Sequence, residues 1–394
     1  MILAALLLAF ATPRGDTLAP RFQGAFALVE GKDLAPRVVL GFRETGSAPG
    51  RLVAYGLGEG KVLFDCGVGS QCVNYGRRMS AILDLDGDGC PDLAVACARK
   101  DGARDIPQVE LRSGRDGRLL GMLEAQIDEI GFGECVAALP DIDGDGKAEF
   151  VVGATMKSPL RPGLFAAYAV YSGATRERLG RVMTEAASGL MQGAFVPLHG
   201  PKDHPRAAHS TGRSVLRMDL GAQVLEASFT LEDLDAATQV VGIANAGDLD
   251  GDGDEELLVA ENSSGAHAWV LLDGKTWKPR ALPTTAAAPA GPLAWLARID
   301  DLDGDGTADF LGAQSFATEE LLYAFSGKSL AILRTLAVPA GKAPFFGGAC
   351  MLVRAQGLAP FVLAACLDPQ GRGQERGVYC FDWDKRVLVR VFGQ

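Results

Sequence analysis

Short apolar runs and turn residues alternate along nearly the whole chain, and the alternation repeats with a long period. Seven segments read strand, tight turn, strand. They are VAYGLGEGKVLFD from Val53, VELRSGRDGRLLGML from Val109, AVYSGATRERLGRVM from Ala169, VLRMDLGAQVLEA from Val215, WVLLDGKTWKPRAL from Trp269, LYAFSGKSLAILRTL from Leu322 and VYCFDWDKRVLVRVF from Val378. Runs of this kind bounded by Gly or Asp turns predict hairpins. A second hairpin precedes each of them, giving seven units of four antiparallel strands. Ala-rich stretches such as Ala286–Ala290 contain Pro or sit between strand signals, and read as linkers.

Seven four-stranded units in series predict an all-β fold, a seven-bladed β-propeller, which protects its sheet edges by radial repetition. A linear solenoid would use repeats much shorter than ~50 residues. The expected blades are 24–66, 75–123, 132–184, 192–228, 239–283, 292–337 and 347–393, within one domain over 24–394. The apolar strand at the start of each unit, for example Met79–Leu83 or Val136–Leu139, is expected innermost. The ring is then expected to close by packing of the first blade on the last, with Thr17–Gln23 as a possible edge strand for the last blade instead.

In four units the first turn reads Asp-x-Asp-Gly-Asp-Gly-x-x-Asp/Glu: Asp84–Asp92, Asp141–Glu149, Asp248–Glu256 and Asp301–Asp309. Their first residues are 57, 107 and 53 positions apart, so the middle gap spans two periods. The unit inside it, GAFVPLHGPKDHPRAAHS from Gly193, lacks the acidic loop. So do GAFALVEGKDLAPRVVLGF from Gly24 and GACMLVRAQGLAPFVLAAC from Gly348, and no ion is expected in those three.

Carboxylates at loop positions 1, 3, 5 and 9 converge hard oxygen donors on one point, and glycines at 4 and 6 allow the tight backbone turn. That donor set suits Ca²⁺. An EF-hand is excluded, because it needs a bidentate Glu at position 12 and flanking helices. Position 12 here is Val95, Val152, Val259 or Gly312, inside strand-like runs. The expected ligands are Asp84, Asp86, Asp88 and Asp92; Asp141, Asp143, Asp145 and Glu149; Asp248, Asp250, Asp252 and Glu256; and Asp301, Asp303, Asp305 and Asp309. The position-7 carbonyls of Cys90, Lys147, Asp254 and Thr307 are expected as fifth ligands.

This loop ahead of an L-V-G-A-like strand resembles the FG-GAP/VCBS repeat proteins, which include the seven-bladed N-terminal propeller of integrin α chains and many bacterial secreted proteins. The resemblance spans about residues 24 to 393. It implies that each acidic loop joins the two innermost strands of its blade and binds a structural Ca²⁺, four in all, through the residues just named.

The first residues, MILAALLLAFATP, end in an A-x-A-like cleavage pattern at Ala9–Ala11, so residues 1–11 are expected to act as a signal peptide and 12–23 as a lead-in. No Lys or Arg precedes Arg14, which leaves the positive n-region missing. The stretch is too short to span a bilayer. Export to the periplasm, cell surface or medium is expected. Formal charge is −11, and four divalent cations would bring it to −3. No basic stripe with interleaved aromatics points to nucleic acid. A monomer is expected.

Eight cysteines are compatible with an oxidising compartment. Cys350 and Cys366 are equidistant from Leu358, so a hairpin centred there would set them opposite each other, within disulfide range. Cys66 and Cys72 are a second possible bridge. Three of four histidines, His199, His204 and His209, fall in one Pro-containing unit and are expected as solvated loop residues. Trp269, Trp277, Trp295 and Trp383 are expected to pack between blades.

No Gly-x-Ser-x-Gly elbow or other nucleophile–base pattern occurs, and the carboxylate clusters are accounted for as metal loops. The function expected is therefore non-enzymatic: a binding or interaction module for a protein or glycan. The alternatives are a carbohydrate-active enzyme (a lyase, for example) or a lectin on a Ca²⁺-containing propeller. Contacts are expected on the face opposite the acidic loops, at Ala98–Pro107, Thr155–Gly163 and Thr230–Thr238. Those stretches hold Arg99, Lys100, Arg104, Lys157 and Arg161.

Overall fold

A computed structural model describes residues 21–31, 34–44, 49–67, 72–157, 164–185, 194–198, 204–231, 239–262, 267–282, 293–314, 321–337, 346–354, 360–366, 377–385 and 387–392. They form seven antiparallel sheets with no helix among the described residues. Blade 1 is β1 (Arg21–Gly31), β2 (Leu34–Arg43), β3 (Arg51–Gly56) and β4 (Val62–Gly67). Blade 2 has a first strand in two pieces, β5 (Cys72–Val73) and β6 (Met79–Ala81). They precede β7 (Leu93–Asp101), β8 (Arg104–Arg112) and β9 (Leu119–Glu124). Blade 3 is β10 (Cys135–Ala138), β11 (Phe150–Lys157), β12 (Leu164–Tyr171) and β13 (Arg178–Glu185). Blade 4 is β14 (Phe195–Leu198), β15 (Arg206–Thr211), β16 (Ser214–Asp219) and β17 (Val224–Thr230). Blade 5 is β18 (Gln239–Gly247), β19 (Glu256–Asn262), β20 (His267–Leu272) and β21 (Pro279–Arg280). Blade 6 is β22 (Leu293–Ile299), β23 (Asp309–Gln314), β24 (Leu321–Phe325) and β25 (Ile332–Ala337). Blade 7 is β26 (Phe346–Val353), β27 (Phe361–Cys366), β28 (Gly377–Asp382) and β29 (Val387–Phe392).

Neighbouring first strands touch: β1 meets β6 and β26, and β18 meets β14 and β22. They surround the axis, as the pattern predicts. The middle strands are buried on both faces and read as continuous apolar runs, whereas β4 and β17 alternate or lie exposed at the rim. Hydrophobic burial between blades is the main cohesive force. Trp269, Trp277 and Trp383 are buried there, and the Trp295 side chain lies outside the described set.

The ring closes without strand exchange. Phe26, Val38, Leu40 and Val53 of blade 1 share one apolar cluster with Leu363, Val378 and Phe392 of blade 7. Arg390 Nη1 donates to the Leu57 carbonyl across the same seam at 3.1 Å. Residues Arg21–Gln23 belong to β1 and pair with β2, so they do not serve as an edge strand for blade 7. Residues 17–20 lie outside the described set.

Several other expectations change. Ala98–Pro107 is not a loop. Its ends are paired β7 and β8, from Ala98↔Pro107 to Asp101↔Arg104, around a two-residue turn with Gly102 at φ 60°. Residues 158–163 and 232–238, with Arg161, lie outside the described residues. Cys350 sits opposite Ala364 and Cys366 opposite Phe346, because an irregularity between Phe346 and Cys350 shifts the register. Cys66 and Cys72 both carry free thiols. Cys66 is on the outermost strand of blade 1 and Cys72 on the innermost of blade 2, which separates them.

His209 is not a solvated loop residue either. It is fully buried in β15, between the rings of Tyr168 (centroids 5.2 Å apart) and Phe195 (6.1 Å). Neither ring nitrogen has a hydrogen-bond partner among the described residues. His204 Nδ1 lies 2.8 Å from Asp219 Oδ2, and His199 is outside the described set. Burial, with the Arg78 charge behind it, drops the His209 pKa from 6.5 to about 3. The folded state therefore resists protonation that the unfolded chain accepts. This contribution to stability is complete above pH 6.5 and is lost as pH falls towards 3. Between pH 7 and pH 5 it should cost about 2 kcal/mol. Denaturant melts at both pH values should show that loss in the wild type and a smaller one in His209→Phe.

Candidate metal centres

The four acidic loops join the first and second strands of blades 2, 3, 5 and 6, where the resemblance places them. Gly87, Gly89, Gly144, Gly146, Gly251, Gly253, Gly304 and Gly306 all have φ between 77° and 93°. These are positions 4 and 6, and the left-handed backbone there is what Gly permits. The turn aims amides inward at the position-1 carboxylate. Asp84 accepts from Gly87 and Gly89, both at 2.7 Å. Asp141, Asp248 and Asp301 accept from the equivalent glycines. Burial pulls Asp84 upward, but the amides of Gly89, Gly87 and Asp88 outweigh it and hold the carboxyl below its usual value. For Asp301 the Gly306 amide leads and the shift is again downward.

Position 9 behaves differently. Asp92, Glu149, Glu256 and Asp309 are buried. One oxygen of each accepts the position-2 amide: Leu85 at 2.7 Å, Ile142, Leu249 at 2.6 Å and Leu302 at 2.6 Å. In three blades the other oxygen accepts a glycine amide from the outer hairpin: Gly114 at 3.1 Å, Gly274 at 3.3 Å and Gly327 at 2.8 Å. Burial, reinforced by Asp86 and Asp84, pushes Asp92 up to about 6. Burial also raises Glu149, Glu256 and Asp309.

Carboxylate oxygens of positions 1, 3 and 9 come within 4.8 Å of one another in every loop, and in blade 3 position 5 joins them as Asp145. Each cluster can hold a metal ion, and the all-oxygen donor set suits a hard cation. Position 5 does not converge in the other loops. Asp88 is drawn to Arg115 (2.9 Å), and Asp305 Oδ2 accepts from Ser326 Oγ at 3.4 Å.

The four sites are therefore unequal. Arg118 lies 2.7 Å from Asp86, and Arg280 lies 2.8 Å from Asp250 and 3.2 Å from Glu256. A cation entering those loops competes with a guanidinium. Blade 3 has four converging carboxylates, so this loop fits a cation best.

The glycines of the outer hairpins were missed from sequence. A Cβ on Gly114, Gly173, Gly274 or Gly327 would lie 1.9, 2.1, 2.5 or 1.8 Å from the carbonyl oxygen of Pro91, Ala148, Glu255 or Ala308. Only Gly lets the outer hairpin seat against the acidic loop. The blades without the loop carry Leu57, Leu220 and Trp383 at this place. Those amides donate to the carbonyls of Pro36, Pro205 and Pro360, and the side chains are buried. The signal was available: Ser-Gly or Asp-Gly opens the outer turn only in units that carry the acidic loop.

Residues 248–312 match the FG-GAP-like repeat family. The matched span runs from the acidic loop of blade 5 to the middle of β23 and so contains two FG-GAP-like loops. The loops of blades 2 and 3 repeat their hydrogen bonds. No curated protein matches the chain in sequence. Among solved structures it is similar to BBS1N in complex with ARL6DN. The mercury-soaked crystal shows 12% identity and TM-score 0.57, covering 88% of this chain and 90% of that one. The lead-soaked crystal shows 13% identity and TM-score 0.55, covering 91% and 93%. The Dos1 propeller gives 11% identity, TM-score 0.46 and coverages of 95% and 85%. At 12–13% identity the likeness to BBS1N is one of fold, and it agrees with an FG-GAP propeller.

Two outcomes are expected. Gly327→Ala should destabilise the protein by about 3 kcal/mol, through overpacking and a lost amide–carboxylate bond. Exposed Lys328→Ala should stay within about 0.5 kcal/mol of wild type in the same melts. Separately, calorimetric titration with a divalent cation should resolve unequal sites, and Arg118→Gln should tighten one of the weaker ones by roughly fivefold, about 1 kcal/mol for a partly exposed charge. Four equal sites, unchanged by Arg118→Gln, would contradict the inequality.

Proposed function

We propose that this protein is an exported propeller braced by Ca²⁺ in four blades, serving as an interaction module. The observation that carries this reading is the convergence of carboxylates at positions 1, 3 and 9 of four equivalent loops, next to the Gly-bearing hairpins. Ca²⁺ fits better than Mg²⁺, because flexible carboxylate cages with many oxygens suit the larger ion, while Mg²⁺ demands tight octahedral geometry and keeps its waters. The ion would neutralise the mutual repulsion of the carboxylates and lock each inner hairpin to its neighbour. Weak sites of this kind work outside the cell, where the ion is abundant.

Binding, rather than catalysis, follows from the roles the carboxylates already have. The acidic loops lie on one face. The opposite face holds a cleft of 180 Å³ where blades 2 and 3 meet, lined by Asn74, Arg77, Asp105, Pro107, Phe132 and Glu134 among others. Charges of both signs beside an aromatic ring suit a protein partner. The BBS1N propeller is itself solved in complex with a protein, ARL6DN. A glycan partner remains the alternative outcome of the test.

Removing the metal with EDTA should lower the melting temperature, and Ca²⁺ should restore it where Mg²⁺ does not. Each site occupied at 100 times its Kd contributes about 2.7 kcal/mol. Asp143→Ala should lose most of one such contribution yet keep partner binding well below the melting temperature. A melting curve indifferent to EDTA would refute the Ca²⁺ reading. Fractionation of cells should find the mature chain outside the cytoplasm, and pull-down from that fraction alongside a glycan array, both with Ca²⁺, separates the two partner classes.

A further inference from the structure

Cys72, Cys97 and Glu110 stand on three adjacent strands of blade 2, β5, β7 and β8. Cys72 pairs in register with Arg99, two residues from Cys97, and Glu110 pairs with Val95. Side chains alternate along a strand, so all three emerge on one face. That face packs against blade 1, in the cluster holding Val39, Leu52 and Tyr75. The Cys72 and Cys97 sulfurs are 3.7 Å apart, and Cys72 Sγ is 3.5 Å from Glu110 Oε1. All three donor atoms lie within 4.8 Å of one another.

We propose that Cys72, Cys97 and Glu110 form a tetrahedral site for a thiophilic divalent cation of the Zn²⁺ class, at the junction of blades 1 and 2. The distances are those such a site requires. With Zn–S of about 2.3 Å and Zn–O of about 2.0 Å, tetrahedral angles put two sulfurs about 3.8 Å apart and a sulfur and an oxygen about 3.5 Å apart. A disulfide would need the sulfurs at about 2.05 Å.

The carboxylate is also held for the purpose. Glu110 Oε2 accepts from Tyr75 Oη at 2.9 Å and from Arg112 Nε at 2.8 Å, which turns Oε1 towards the thiols. Outer partners of this sort orient a ligand and are part of a metal site. Charge balances as well. Binding releases two thiol protons to solvent, and two thiolates, one carboxylate and a divalent cation sum to −1 beside the Arg112 guanidinium. The fourth position falls to water. Cys72 is only half-buried, which leaves the outer side of the cluster within reach of water. Thiolates select this site for soft or borderline metals, as the carboxylate loops select for hard ones.

The test uses the full chain, reduced with a phosphine, stripped of metal and held in excess Ca²⁺ to fill the acidic loops. Titration with Co²⁺ should produce a thiolate-to-Co²⁺ charge-transfer absorption and the visible bands of tetrahedral Co²⁺, saturating at one ion per chain, and Zn²⁺ should abolish both. Cys72→Ser and Cys97→Ser should remove the charge-transfer band, and Glu110→Gln should weaken binding by about tenfold or more. Cys66→Ser, outside the cluster, should leave it intact. No charge-transfer band in the reduced wild type overturns the proposal, whatever the variants do. So does a band that survives Cys72→Ser or one that disappears with Cys66→Ser.

Discussion

The position-9 carboxylate is the contact on which the joining of the two hairpins in each acidic-loop blade depends. It is buried, it ties down the amide at loop position 2, and in three blades it also takes the amide of a glycine two strands away. A buried charge is tolerated only when paired or well bonded. Here two backbone amides meet that need in part, and the remaining negative potential falls where positions 1 and 3 converge. The group that fastens the two hairpins together is thus also the one that makes the site attractive to a cation.

Blades without the acidic loop solve the same packing problem with apolar matter. A Leu or Trp fills the space that the acidic loop and a bare glycine occupy elsewhere, and its amide goes to a proline carbonyl instead of a carboxylate. The two solutions cannot be mixed one residue at a time. A side chain at the glycine would collide with the loop backbone, and a carboxylate without the glycine amide would lose a partner.

Between blades, arginines add a directional element to hydrophobic packing. Arg37, Arg176, Arg334 and Arg390 each reach a backbone carbonyl in a neighbouring blade, and Arg334 also lies over the Trp383 ring at 4.4 Å. Charge-assisted bonds to carbonyls that have no ladder partner fix the rotation of one sheet on the next. Arg390 does so across the seam where the first and last blades meet, so closure uses the same device as three other blade junctions.

The sequence by itself determined the blade count, the strand order within each blade, the position of the acidic loops and the positive-φ glycines that shape them. All of these are local. They rest on period, on turn chemistry and on the conformational freedom of Gly within a nine-residue window. Only the tertiary structure decided which loop carboxylates converge and which meet a guanidinium, because Arg115, Arg118 and Arg280 come from outer hairpins 27, 32 and 30 residues away in sequence from the carboxylates they reach. It alone placed His209 in a core, where the spacing of three histidines suggested a solvated loop, and moved Cys350 out of register with Cys366 through an irregularity that no composition signals. It also brought Cys72 and Cys97 together across β5 and β7. Contacts between strands depend on register and on the packing of one blade against the next, and a linear pattern encodes neither.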